Sequence, residues 1–72
     1  MKNLAEQKTN VDFAIRDLKG DPVVVGRLRE LGFIRGECVR LIGRTPFGDP
    51  LLVEIRGTTV ALRKGEAQCI LI

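Results

Sequence analysis

Leu51, Val53 and Ile55 alternate with Leu52, Glu54 and Arg56; after Gly57, Thr59–Leu62 resumes the alternation with Val60 and Leu62. A period of two sends the two sets of side chains to opposite faces of a strand. The short break at Arg56-Gly57-Thr58 makes the two strands partners in a tight hairpin. The same pattern recurs upstream. Val11, Phe13 and Ile15 alternate with Asp12, Ala14 and Arg16, predicting a strand over 11–18 that Lys19-Gly20-Asp21-Pro22 ends. Val39 and Leu41 oppose Cys38, Arg40 and Ile42 in a strand over 37–44. A last strand is expected over 68–72, with Ile70 and Ile72 inward, after a 3₁₀-type turn at Arg63–Ala67.

One helix interrupts the strands. Asp21 can accept from the free N–H groups of a first turn, and Pro22 suits the first helical position. Val24, Leu28 and Leu31 follow at helical spacing and predict a core-facing stripe on a helix over 22–31. Val23-Val24-Val25-Gly26 has poor helix propensity and fits a strand as well. Gly32 is placed to end the helix in a left-handed turn, with Phe33 folding back on the last turn. Ile34-Arg35-Gly36 is a turn, and Pro46-Phe47-Gly48-Asp49-Pro50 is a loop too poor in donors for a central strand.

Seventy-two residues hold one core, and folding at this length buries only about 60% of the chain's surface. About five short strands with one short helix then imply a mostly β fold whose sheet closes on itself. Closure hides strand edges that so short a chain cannot otherwise protect. A small SH3-like barrel over residues 11–72 matches the size. Residues 1–10 form an irregular lead-in, with Leu4 tucked against the barrel. With three Phe and no Trp or Tyr, the core must be aliphatic.

Three segments carry a family resemblance. They are Gly26-Arg27-Leu28-Arg29-Glu30-Leu31-Gly32-Phe33-Ile34-Arg35-Gly36, then Phe47-Gly48-Asp49-Pro50-Leu51, then Gly57-Thr58-Thr59-Val60-Ala61-Leu62-Arg63-Lys64-Gly65-Glu66-Ala67. In this order and at these separations they resemble the FeoA family, small cytoplasmic proteins of ferrous iron transport. Arg35 departs from the family pattern, which often has Pro before the glycine. The resemblance covers roughly residues 11–72. It implies an SH3-like fold and a non-enzymatic accessory or regulatory role in bacterial Fe(II) uptake. It also implies association with FeoB, the membrane permease with a cytoplasmic G domain.

The residues themselves offer little chemistry. The chain has no His, and Cys38 and Cys69 form no Cys-x-x-Cys pair, so no metal site is expected. The acidic residues form no convergent pair and no nucleophile has a base, so no catalytic residue is assigned. No glycine-rich phosphate cradle occurs, and no cofactor is expected. Two cysteines, no apolar leader at the start and no membrane-length apolar run point to a cytoplasmic protein with reduced thiols and no direct membrane insertion.

A net charge of +3, with both signs interleaved, does not select a partner. The Lys19–Val25 segment superficially resembles KOW-type modules, and Arg27, Arg29, Arg35, Arg40 and Arg44 could form a basic stripe. A KOW-like nucleic-acid-binding module is therefore the alternative reading. The lack of Tyr or Trp for base stacking weighs against it. A protein-binding surface is favoured, with candidate contacts Arg27 and Arg29 on the helix, Ile42 and Leu52 outward on strands, and Phe47 in its loop. Phe47 fits a barrel-end plug equally well.

Overall fold

The computed structural model describes residues 2–72. Among these residues six strands form two sheets: β1 (Asp12–Ala14), β3 (Cys38–Arg44), β4 (Leu51–Ile55) and β5 (Thr58–Leu62) in the order β1-β3-β4-β5, and β2 (Asp17–Leu18) beside β6 (Ile70–Leu71). All pairings are antiparallel. Helix α1 spans Pro22–Glu30, a single-turn helix α2 spans Lys64–Ala67, and one 3₁₀ turn spans Leu4–Glu6.

The stretch expected as one strand over 11–18 is two. Ile15 still donates its N–H to Glu37 O and accepts from Gly36 N–H, whereas the Arg16 N–H turns to Leu71 O. The chain thus passes from one sheet to the other between these residues, and the strand breaks there. Ile15 remains buried, but Val11 lies ahead of the strand and is exposed. The hairpin between β4 and β5 turns in two residues, Arg56 (φ 52°) and Gly57 (φ 77°). Positive φ at both positions is the turn geometry whose twist matches that of the strands.

Helix α1 begins as expected, with Asp21 Oδ1 accepting from Val23 N–H at 2.8 Å. Its end is a full Schellman turn: Phe33 N–H bonds to Leu28 O and Gly32 N–H to Arg29 O, each at 3.0 Å, with Gly32 at φ 105°. This turn corrects the expected core stripe. Phe33 is swung under the helix and is fully buried, while Leu31 is displaced to the rim and is 49% exposed. Val25, not Leu31, joins Leu28 in the core, with Val24 packed partly against it.

The core contains Leu4, Ile15, Val39, Leu41, Leu51, Val53, Ile55, Leu62, Ala67 and Ile70 around Phe33, and among the described residues no polar or charged residue is buried. Leu4 and Ala5 of the 3₁₀ turn belong to it, and Asn3 bridges to Leu71. The expected 3₁₀ turn after β5 is instead the helical turn α2, where Glu66 reaches back to the Arg63 N–H at 2.8 Å.

Candidate protein-binding surface

Strand β3 carries a bulge: Leu41 pairs with Val53, but Gly43 pairs with Leu52 and Arg44 with Leu51. An extra residue inverts the inward–outward phase of everything beyond it. Ile42 and Gly43 are therefore set together opposite Leu52, and Arg44 is carried to the phase of buried Leu51. Its guanidinium donates to Ala5 O and Gln7 O, each at 3.0 Å, clasping the N-terminal turn to the barrel.

Leu52 in turn pairs with Ala61 on β5. Half-buried Ile42, Gly43, Leu52 (37% exposed) and exposed Ala61 thus form an apolar row across the outer face of three strands. The next row is polar. Asp12, Arg40, Glu54 and Thr59 follow one another across all four strands. Within it Arg40 Nε donates to Asp12 Oδ1 at 2.8 Å. That bond holds the Asp12 carboxyl below its ordinary value and raises Arg40.

Beyond the apolar row lies the loop of Phe47. Gly48 N–H bonds to Thr45 O at 2.8 Å, and Gly48 adopts φ 80°, closing a turn with Phe47 near its tip. Asp49 fastens the loop to α2, accepting from Lys64 N–H at 2.8 Å and lying 3.6 Å from the Arg63 guanidinium. Phe47 itself is 95% exposed. Of its two readings the plug is excluded: the ring is displayed on an anchored turn.

The candidates therefore separate into two groups. Ile42 and Leu52 are brought together on the outer sheet face, with Phe47 at the loop end of that face. Arg27 and Arg29 stand apart on α1. Arg27 pairs with Glu66 of α2, and Arg29 is exposed in the last turn. The basic stripe is largely spent inside the molecule, since Arg27, Arg40 and Arg44 each have partners. Around Arg27 lie exposed apolar residues outside the expected contacts: Val23 (77% exposed) and Leu31 at four residues either side, and Ile34 beyond. The spacing of Val23 from Leu31 was legible, but reading Leu31 as core concealed an exposed helix face.

Two open hollows are lined by Lys2, Glu6, Gln7 and Lys8 and by Ile15, Arg16, Asp17, Arg35 and Gly36. Among the described residues no three His, Cys, Asp or Glu side chains are grouped to hold a metal. Cys38 is exposed, Cys69 is half-buried, and both are free thiols.

Residues 2–72 match the FeoA domain. The chain belongs to the FeoA domain family. It is similar to Stenotrophomonas maltophilia FeoA, whose crystal structure contains zinc, at 33% identity and TM-score 0.86 over 99% of this chain and 88% of that one. That protein is described as an SH3 domain protein and proposed as a bacterial ferrous iron transport activating factor. Chlorobium tepidum FeoA gives 31% identity and TM-score 0.85, covering 94% of this chain and 65% of that chain. A FeoA-like protein from Clostridium acetobutylicum gives 28% and 0.88, covering 97% and 81%. No curated protein matches the chain. The barrel is SH3-like, as its size and strand pattern implied, but the expected closure is incomplete: among the described residues β1 and β5 remain the edges of the four-stranded sheet. No helix is long and apolar enough to cross a membrane, among the described residues.

Proposed function

We propose that this chain is a non-enzymatic accessory protein of bacterial ferrous iron uptake that acts by docking on the cytoplasmic part of a FeoB-type permease. The observation that carries the reading is the family match across residues 2–72, together with the activating role proposed for the Stenotrophomonas relative. The outer sheet face is the contact we assign. An exposed Phe on a pinned turn, beside an apolar row and an arginine–carboxylate rim, has the anatomy of an interface anchor. Holding the turn in place before binding reduces the ordering cost of association.

The test is capture of the permease from detergent-solubilised membranes by the tagged chain. Phe47→Ala and Leu52→Asp each reduce capture at least about tenfold, as loss of an anchor worth more than 1.4 kcal/mol requires, while far-UV circular dichroism stays unchanged. Full capture by both variants refutes the sheet face. Loss only in Leu31→Asp moves the contact to α1. The nucleic-acid alternative predicts a gel shift that falls steeply with salt. An absent shift at low salt removes it.

A further inference from the structure

Strand β5 is an edge of the four-stranded sheet and, among the described residues, is paired only with β4. Its two-residue turn makes Ile55 and Thr58 a hydrogen-bonded pair. Alternation then directs the backbone groups of Thr58, Val60 and Leu62 to β4 and those of Thr59 and Ala61 outward. Thr59 and Ala61 are exposed, and among the described residues neither backbone has a partner on the open side. Edge strands are ordinarily blunted by charge, proline, a bulge or brevity. The opposite edge, β1, has three residues and carries charged Asp12. Thr58-Thr59-Val60-Ala61-Leu62 has none of these protections.

We propose that the open edge of β5 takes up an extended, acidic-ended segment of a partner protein as a fifth strand of this sheet. Charge selects the occupant. The uncharged strand, about 17 Å long, is bracketed by Arg56 at one end and Arg63 and Lys64 at the other. Arg56 and Arg63 are 66% and 73% exposed, and their carboxylate partners are no nearer than 3.9 and 3.6 Å. A segment with small or β-branched residues at its centre and Asp or Glu at both ends satisfies backbone and charge together. A second copy fits worse, because two-fold antiparallel pairing about Val60 sets Arg56 of one copy against Arg63 and Lys64 of the other. The edge differs from the Phe47 contact, and the two fail separately: Phe47→Ala lowers permease capture but leaves every β5 edge donor, Arg56, Arg63 and Lys64 in place.

The experiment titrates the full chain with the peptide Glu-Asp-Val-Thr-Val-Thr-Asp-Glu while amide exchange is followed by NMR. In the free chain, Thr59 and Ala61 amides exchange fast and Val60 and Leu62 slowly. Saturating peptide slows Thr59 and Ala61 about tenfold or more. Ala61→Pro abolishes this, and Arg56→Glu with Arg63→Glu, which keeps every backbone donor, weakens binding at least about tenfold. A peptide with Lys and Arg ends binds at least about tenfold more weakly to the wild type. Absent binding, equal binding of the two peptides, or undiminished binding by the double variant overturns the proposal. So does a free chain that is dimeric with Thr59 and Ala61 already protected, which would assign the edge to a second copy.

Discussion

Two phenylalanines in this chain have the same side chain and opposite surroundings, so truncating each tests how the barrel and its surface divide the work. Phe33 is fully buried at the Schellman turn, against a core in which Leu28 is also fully buried; Phe47 is 95% exposed. Removing a buried Phe costs about 3–5 kcal/mol through lost transfer energy and the cavity left behind. A domain of 72 residues has only about 4–11 kcal/mol in all. With a urea slope of about 1 kcal/mol/M for so small a protein, Phe33→Ala lowers the midpoint by about 3–5 M and leaves little folded baseline. Phe47→Ala removes a ring that touches almost nothing and stays within about 0.5 kcal/mol of wild type. The assay is urea titration by far-UV circular dichroism, since the chain has no Trp or Tyr to report by fluorescence. A Phe47→Ala midpoint lowered by more than about 1 M, at that same slope, would show the ring packing against the barrel. Loss of partner capture in that variant would then report on folding, and the assignment of Phe47 as a contact would fall. A wild-type midpoint for Phe33→Ala would refute the core assignment itself.

Three further outcomes follow from individual contacts. The Arg40 hydrogen bond depresses Asp12, so the pair's contribution is present above the ordinary carboxylate value of 3.8 and is lost as pH falls through the lower folded midpoint. Carboxyl NMR titration places the Asp12 midpoint below 3.8, and Arg40→Gln returns it upward; an unmoved midpoint contradicts the assigned cause. Gly20 sits at φ 148° with Cys69 Sγ 2.5 Å from where a Cβ would lie. Gly20→Ala is therefore destabilised by about 1–3 kcal/mol, and adding Cys69→Ala recovers the steric part of that loss in thermal melts. Asp21→Ala removes the cap on Val23 N–H and costs about 1 kcal/mol, read from the same urea titration.

The alternation in β3, β4 and β5 was legible because each strand buries one face, so Val39, Leu41, Leu51, Val53, Ile55 and Leu62 are in the core as their spacing demands. The cap at Asp21 and the left-handed Gly32 are local chemistry and were equally readable. What escaped was set by tertiary geometry. Whether Leu31 or Phe33 closes the helix base depends on the direction of the turn, because both lie within reach of Leu28. The bulge at Ile42 leaves no mark in a run of apolar residues, yet it decides that Arg44 clasps the N-terminal turn instead of joining a basic face. The crossing at Ile15–Arg16 shows in the sequence only as a phase shift: Ile15 and Leu18 are both buried, where unbroken alternation would turn Asp17 inward. At the surface, sequence named Ile42, Phe47 and Leu52. Their adjacency is set by the β3 bulge, and the exposed face of Val23, Leu31 and Ile34 by the turn that buries Phe33.

Where a partner touches this barrel decides what its surface does. Hydrogen exchange of the chain, alone and with a FeoB-type permease in lipid nanodiscs, reads that contact directly. Slowed exchange is expected in the segments carrying Ile42–Gly43, Phe47 and Leu52, with the far hollow around Arg16 and Gly36 unchanged. Protection confined to the Arg16–Gly36 side, or no protection at saturating permease, would contradict it.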